Sequence, residues 1–246
     1  MVAGRRRAWL VWAGAGMVLV AGCGGRGHAS QAEAEGERVG VAAYANVEAV
    51  PEQLGLDGTT ITVGDPKAAV TVHLMEDPRC PSCEQFERTG GGPVLAAAVV
   101  RREVRAQYTM ASFLDDRLGG DGSKRAVNAL RAALEAGKFT EFHAVLYSNQ
   151  PPEESDGFTT ARLLELAARV PGLRSPAFDS AVKTMKYRAF VKASEEDYEV
   201  KGTEEGVGPG TPSAEIDSYP LPSNAVLYDA EAFTELLRAS RGEQVS

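Results

Sequence analysis

The sequence predicts an α/β domain in which a mixed β-sheet is flanked by helices and interrupted by a helical block. A nearly continuous apolar run at residues 69–75 leads into an amphipathic segment behind two cysteines, which is typical of a buried strand followed by a helix. Alanine- and leucine-rich segments with helical spacing then fill residues 124–201. Strand-like segments return only after this block, so the sheet is completed by residues distant in sequence.

The first half of the domain alternates between strands and helices. Residues 59–63 are β-branched and predict a short strand, residues 69–75 predict a buried central strand, and residues 104–110 alternate like a third strand. Between the last two strands, a helix begins at Pro81, where a missing amide proton costs nothing in the first turn. Residues 93–101 resume as a second helix after a glycine triplet.

The second half begins with the helical block. Its predicted helices cover residues 124–136, 140–147, 161–170, 175–185 and 187–201. Thr160 is the expected N-cap of the third, because a threonine hydroxyl can accept an amide hydrogen bond there. Residues 211–217 then predict a strand, with residues 224–228 pairing with it as a hairpin, and residues 230–239 predict a closing helix.

The N-terminus has the features of an export signal. Three arginines at residues 5–7 precede an apolar run at residues 8–20, which is too short to span a bilayer comfortably. The following Val20-Ala21-Gly22-Cys23 resembles the lipobox of bacterial lipoproteins, whereas an ordinary signal peptide with a chance cysteine is the alternative. The resemblance implies a signal peptide at 1–22 and a lipidated Cys23. Residues 23–55 are expected to form a flexible tether, and residues 56–246 the folded domain.

This leader predicts a protein on the outer face of a bacterial membrane, where disulfides persist. The pair Arg6-Arg7 also resembles a twin-arginine export signal, and the choice between that route and the general secretory route stays open. The formal net charge is −8, which argues against nucleic acid as a partner.

Cys80 and Cys83 are the only cysteines beyond Cys23. Residues three apart on a helix lie about 5–6 Å from each other, within reach of a disulfide. At a helix N-terminus, free amide protons and the helix dipole favour thiolate over thiol, and such cysteines titrate at about 3.5–7.5 instead of near 8.5. The spacing therefore predicts a redox-active pair, with Cys80 as the attacking sulfur and Cys83 as the resolving one.

Two other interpretations of the pair are a structural disulfide and half of a zinc site. A structural zinc ion usually takes four protein ligands, and the other soft candidates in the domain are His73 and His143. We expect His73 to be a packed strand residue and His143 to be structural. The sequence therefore predicts no metal and no cofactor.

Together with their surroundings, the cysteines resemble the thioredoxin superfamily and, within it, the DsbA-like proteins. The matching parts are residues 72–87 around Cys80-Pro81-Ser82-Cys83, the helical block, and Gly210-Thr211-Pro212, within a similarity spanning about residues 56–242. The resemblance implies a thioredoxin-like fold, a central mixed sheet with flanking helices, and a helical subdomain inserted at about 122–204. It also implies that Pro212, preceded by Thr211, follows a cis peptide bond and lies against the active-site disulfide, where it leaves nearby backbone free to pair with an extended substrate.

One position departs from the family pattern. The family often has a buried acid about six residues before the first cysteine, where this chain has Leu74. Glu76 is two residues further on and points to the same face of a strand, so it can take over proton transfer. The alternative is that Glu76 is simply solvated.

The resemblance implies thiol–disulfide exchange with exported proteins that carry thiols or disulfides, and a membrane redox partner that recycles the pair. The direction of electron flow stays open. A different class of function is a lipid-anchored binding or scaffold module on a redox-inactive thioredoxin fold. A third is a zinc-binding lipoprotein.

Overall fold

The structure is a computed structural model, and it describes residues 42–201, 208–221 and 223–242. The predicted signal peptide, Cys23 and the first part of the tether lie outside the described residues. Within the described ranges, none of the helices combines the length and the apolar character needed to cross a bilayer.

The described residues contain a six-stranded mixed sheet. Its strands are β1 (Glu52–Leu54), β2 (Ile61–Val63), β3 (Val70–Glu76), β4 (Val104–Met110), β5 (Ser213–Ile216) and β6 (Tyr219–Pro220). They lie in the order β1-β2-β4-β3-β5-β6, and only β3 and β4 are parallel to each other. The order confirms that strands on either side of the helical block join one sheet.

Strand β3 holds the central position that its apolar run predicts. It pairs with β4 on one side, from Val70 opposite Val104 to Glu76 opposite Met110, and with β5 on the other. Six of its seven side chains are buried. Because both neighbouring strands fix its register, the residues after Glu76 leave the sheet at a defined point.

Helices α1 (Pro81–Thr89) and α2 (Gly92–Val100) follow β3, as predicted. The glycines between them permit close packing against the C-terminal region. The amide of Gly91 donates to the carbonyl of Leu227, and a Cβ on Gly90 would lie 2.4 Å from that oxygen. A side chain at Gly90 would therefore push the turn away from its neighbour.

The predicted helical block lies between β4 and β5. It is preceded by α3 (Phe113–Leu118), a helix that the sequence analysis did not predict, and its own helices are α4 (Gly122–Glu135), α5 (Phe139–Tyr147), α6 (Thr160–Ala167), α7 (Pro176–Thr184) and α8 (Arg188–Val200). The N-cap prediction was wrong by one residue, because the hydroxyl of Thr159, not Thr160, accepts from the amide of Arg162. The thioredoxin-like architecture with an inserted helical subdomain is confirmed.

The hairpin predicted for residues 224–228 was wrong. These residues form a short 3-10 helix, and the partner of β5 is β6. Asp217 and Ser218 connect the two strands and both have positive φ, as a two-residue hairpin turn requires. The chain therefore reverses earlier than expected and continues into the final helix, α9 (Ala230–Ser240).

The predicted boundary at residue 56 also requires correction, because described residues before it belong to the domain. Strand β1 pairs with β2, and the amide of Tyr44 donates to the carbonyl of Val100. The Glu52 carboxylate accepts from the amides of Phe139 and Thr140 at the start of α5. The tether prediction was therefore wrong for residues 42–55.

Candidate active site

The two cysteines lie where β3 delivers the chain to the first turn of α1. Cys80 is the N-cap and Pro81 occupies the first turn of the helix. Both cysteines are free thiols in this structure. Cys80 is 8% exposed and Cys83 is fully buried, so the outer position belongs to Cys80, although most of its surface is covered.

The surroundings of Cys80 favour its thiolate. Its pKa is lowered to about 6, chiefly by a hydrogen bond from Cys83 and, to a smaller extent, by the Thr211 side chain and the amides of Cys83 and Ser82. Burial opposes this shift. The N-terminal turn of α1 therefore supplies the donors that a sulfur anion needs.

The surroundings of Cys83 act in the opposite direction. Burial raises its pKa well above the ordinary value, and the hydrogen bond to Cys80 and the negative charges of Glu76 and Cys80 add to the effect. The amide of Asp77 partly offsets it. The pair is therefore asymmetric, with a sulfur anion favoured at the outer position and a thiol at the inner one.

The loop before β5 lies against the outer cysteine. The Thr211–Pro212 peptide bond is cis, and the thiol of Cys80 donates to the Thr211 carbonyl at 3.2 Å. The amide of Gly210 donates to the Tyr198 hydroxyl at 3.1 Å. The structure thus brings Thr211 to the cysteines, and a side chain of the helical insertion contacts the same loop.

Glu76 is completely buried at the end of β3, and the solvated alternative was wrong. Its Oε2 lies 2.9 Å from Nε2 of His143, and the other ring nitrogen lies 3.8 Å from Oε2 of Glu87. Burial is the main cause that raises the pKa of each carboxyl to about 8. We call these three residues the proton cluster. Their donor atoms all lie within 4.8 Å of one another, a spacing that would also suit a metal ion.

A second buried network lies next to this cluster and consists of Asp77, Arg79, Asp115 and Ser123. Arg79 donates to Asp115 at 2.8 Å, and both side chains are fully buried. The carboxylate of Asp77 accepts from Ser123 Oγ at 2.6 Å and from the amides of Arg79 and Leu114. We call this network the brace, because it ties the loop before Cys80 to α3 and α4.

The sequence interpretation missed most of these partners. His143 was expected to be structural, and Glu87 and Asp115 were not singled out. His73 packs within the sheet as expected, with Nε2 2.9 Å from Thr109 Oγ1. The available signal for Glu87 was its position four residues after Cys83, one helical turn further along α1.

Comparisons with known proteins agree with this architecture. A family model described as thioredoxin matches residues 56–224, so the chain belongs to the thioredoxin family. A search of curated proteins found no match.

Several solved bacterial structures share the fold. Oxidised BdbD from Bacillus subtilis has a TM-score of 0.63 at 18% identity, covering 82% of this chain and 100% of that chain. Reduced DsbG from Mycobacterium tuberculosis, a disulfide bond oxidoreductase, has a TM-score of 0.59 at 25% identity, with coverages of 74% and 84%. Oxidised DsbA from the same organism has a TM-score of 0.59 at 24% identity, with coverages of 79% and 93%. The fold is therefore DsbA-like.

Proposed function

We propose that this chain is an extracytoplasmic thiol–disulfide oxidoreductase that exchanges disulfides with exported proteins through Cys80 and Cys83. The observation that carries the proposal is the asymmetry of the two thiols at the start of α1. A lowered pKa at Cys80 supplies a nucleophile at neutral pH, while the raised pKa of Cys83 holds its partner as a thiol. The DsbA-like fold and the name of the DsbG structure support the same class of reaction.

In the oxidising direction, a substrate thiolate attacks Cys80 of the Cys80–Cys83 disulfide. A bond forms between the substrate sulfur and Cys80, and Cys83 leaves with the electron pair and takes up a proton. A second substrate thiolate then attacks the substrate sulfur of this mixed disulfide and expels Cys80 as a thiolate. The substrate is oxidised by two electrons, and the pair is reduced by two.

In the reducing direction, the Cys80 thiolate attacks a substrate disulfide and Cys83 resolves the mixed disulfide. The Thr211 carbonyl borders the outer sulfur in either direction, and Pro212 follows it in the chain. Proline lacks an amide proton, so this loop can present backbone acceptors to an extended substrate. We assign the Thr211–Pro212 loop to substrate binding on this basis.

The proposed location rests on the leader sequence. A signal peptide at 1–22 with lipidation at Cys23 would hold the domain at the outer face of the membrane. Disulfides persist in that compartment, but the pair must be restored after each turnover. We therefore propose a membrane redox partner in addition to the exported substrates.

The role assignment is tested by trapping mixed disulfides. Cys80→Ser should abolish exchange, because no outer nucleophile remains. Cys83→Ser should accumulate mixed disulfides through Cys80, because the resolving thiol is gone. Non-reducing mass spectrometry after incubation with a peptide disulfide distinguishes the two variants. Equal trapping by both would contradict the assignment.

The direction of exchange is tested by equilibration with a glutathione buffer. A potential near about −120 mV would favour an oxidase, and one near about −270 mV a reductase. If the protein neither reduces insulin nor oxidises a reduced dithiol peptide, the binding or scaffold alternative is supported instead.

A further inference from the structure

We propose that a cluster of cations at one end of the sheet binds the anionic phospholipids of a membrane surface and orients the domain there. We call this cluster the basic face. Its members, which come from four neighbouring elements of the fold, are Lys67, Arg101, Arg102, Arg105, Arg238 and Arg241. The inference goes beyond the proposed redox function and does not depend on it.

One half of the basic face lies where the ends of α2 and α9 meet. Arg101 and Arg241 both pair with the carboxylate of Glu103, so two cations share one anion. Arg238 is exposed and lines the same open groove, which has a volume of about 630 Å³. The other lining residues are mostly apolar, namely Pro93, Val94, Ala97, Thr234 and Leu237. A groove lined by arginines and apolar side chains suits a phosphate group attached to carbon chains, which is the chemistry of a phospholipid.

The other half of the basic face lies where β3 and β4 begin. Arg102 pairs with Asp65 at 2.8 Å. Arg105 donates to the carbonyl of Pro66, and the exposed Lys67 follows in the chain. Of these three cations, only Arg102 forms an ion pair within the described part of the chain. The positive charge of Arg105 and Lys67 is therefore available to an anion from outside.

The charge of the basic face is opposite to that of the chain as a whole. Asp65 and Glu103 neutralise part of it, and Asp217 lies at the same end of the sheet, where it accepts from the amide of Thr71. The six cations outnumber these three carboxylates, although the formal net charge of the chain is −8. Because the cations come from four elements, they form a surface that suits a plane of phosphates better than one extended acidic peptide.

The N-terminal end of the described chain lies on the basic face. The amide of Tyr44 donates to the Val100 carbonyl at 2.9 Å, and the guanidinium of Arg102 lies over the Tyr44 ring at 4.7 Å. Arg102 also donates to the carbonyl of Ala42. Eighteen residues separate Ala42 from Cys23, and such a segment reaches at most about 65 Å when fully extended. An anchor at Cys23 would therefore hold the domain by its basic face, close to the lipid.

The basic face and the redox pair lie at opposite ends of the sheet. The face surrounds the start of β3 and β4, where Val70 pairs with Val104, whereas Cys80 follows the other end of β3. A strand of seven residues spans about 20 Å, because each residue adds about 3.3 Å. A domain bound by its basic face would present Cys80 away from the bilayer, toward exported chains. Recycling by a partner in the membrane would require release of this face.

Vesicle binding by the unacylated chain tests the basic face. The mature chain with Cys23→Ser has no acyl group but keeps every described residue, so any binding must come from the protein itself. It is sedimented with vesicles of phosphatidylcholine alone, or of phosphatidylcholine and phosphatidylglycerol in equal parts. We expect binding only to the vesicles with phosphatidylglycerol. This binding should be lost at about 0.5 M sodium chloride, because salt screens charges at a surface.

The double variant Arg101→Gln/Arg238→Gln removes two exposed cations from the basic face. Arg241 still pairs with Glu103 in this variant, so the contact between α2 and α9 remains. Each basic residue near an anionic surface contributes about fivefold to binding, so the double variant should bind about 25-fold more weakly.

The matched control is Arg162→Gln/Arg169→Gln. These two arginines of the helical insertion share the carboxylate of Glu165, as Arg101 and Arg241 share Glu103. The control changes the net charge by the same amount, and it should bind like the wild type. Urea unfolding close to that of the wild type shows that both double variants are folded.

Several results would overturn the inference. They are no binding of the wild type to vesicles with phosphatidylglycerol, equal binding to phosphatidylcholine alone, and equal weakening by the two double variants. Preference for a polyglutamate peptide over the vesicles would assign the basic face to an acidic protein segment instead. Exchange with glutathione is measured separately, and its absence would contradict the proposed function without changing the result with vesicles.

Discussion

Glu76 and Asp77 are consecutive residues, yet they enter two buried environments that are built differently. Glu76 joins the proton cluster, where its contacts are another carboxyl and an imidazole. Asp77 joins the brace, where its carboxylate accepts three hydrogen bonds and Arg79 lies in the same network. Burial raises the pKa of both, to about 8 for Glu76 and about 7 for Asp77.

The difference lies in how the buried charge is balanced. In the brace, Asp115 is paired with Arg79 and also accepts from the amides of Ser123 and Lys124 at the start of α4. In the proton cluster, no lysine or arginine among the described residues pairs with Glu76 or Glu87, so protons balance the charge when no metal ion is bound. A network in which each buried charge is paired with an opposite charge holds its side chains in place. Buried carboxyls without such a pair can instead gain and lose protons at neutral pH. The brace should therefore govern stability, and the cluster should govern pH dependence.

The largest expected effect comes from breaking the brace. Asp115→Ala leaves the Arg79 guanidinium buried without its partner, and loss of one partner of a buried pair costs about 3–5 kcal/mol. Urea unfolding measures this change in the free energy of unfolding. Asp116→Ala is the control, because Asp116 is a 73% exposed side chain paired with Lys124 at the surface and should cost less than about 1 kcal/mol.

If Asp115→Ala and Asp116→Ala lowered the free energy of unfolding equally, the brace would contribute no more to stability than a surface ion pair. Asp115→Asn keeps the shape of the side chain and removes the charge, so it serves if Asp115→Ala does not fold. It should lie between the wild type and Asp115→Ala in stability.

The second effect concerns how stability depends on pH. Glu76 and Glu87 have pKa values raised to about 8 from 4.5, so the folded state holds protons that the unfolded state has lost. The free energy of unfolding should therefore fall as pH rises from about 4.5 to 8 and level off above that. The slope is about 1.4 kcal/mol per pH unit for each carboxyl that stays protonated.

The double variant Glu76→Gln/Glu87→Gln should show a smaller fall, of which the part below about pH 7 that comes from Asp77 remains. Glu103→Gln is the control, since hydrogen bonding to Arg101 is the main cause that lowers the pKa of Glu103, so this residue contributes no slope near neutral pH. Urea unfolding at pH 6, 7 and 8 makes the comparison. A wild-type stability that rises over this range would contradict the charge assignment for the cluster.

The sequence predicts the redox pair better than it predicts what surrounds it. Cys80, Cys83 and the helix that starts at Pro81 are encoded within a few residues, so local rules of helix capping and spacing apply. Glu87 and His143 become partners of Glu76 only because α5 packs against α1. The contact between Glu76 and His143 joins residues 67 apart in the chain, and no local pattern specifies it.

The same reasoning explains the two errors in the predicted fold. Residues 224–228 have the apolar composition of a strand, but Asp217 and Ser218 close the hairpin earlier and leave these residues without a partner strand. Ser223 then caps the 3-10 helix by accepting from Ala225. Residues 42–55 were predicted to belong to the tether, whereas pairing of residues 52–54 with β2 adds a strand to the sheet there.

A smaller effect tests the other carboxylate of the brace. Ser123→Ala removes the hydroxyl that donates to Asp77 at 2.6 Å. Hydrogen bonds to charged groups contribute about 1.5–3 kcal/mol, and the backbone donors from Arg79 and Leu114 remain, so we expect a loss near about 1.5 kcal/mol in urea unfolding. A loss as large as that of Asp115→Ala would mean that Asp77, not the Arg79–Asp115 pair, dominates the brace.

The smallest expected effect lies outside both networks, at the solvent side of the cysteines. Tyr228 is partly exposed, and its hydroxyl hydrogen-bonds with Ser82, between the two cysteines. Tyr228→Phe removes one hydrogen bond that water can replace, so the cost in stability should be below about 1 kcal/mol. The pH midpoint of Cys80 alkylation should stay at about 6, because the hydrogen bond from Cys83, the main cause of the lowered pKa, is not altered. Iodoacetamide labelling across pH measures this midpoint, and an upward move of a full pH unit would show that an exposed contact tunes the pair as strongly as the buried ones.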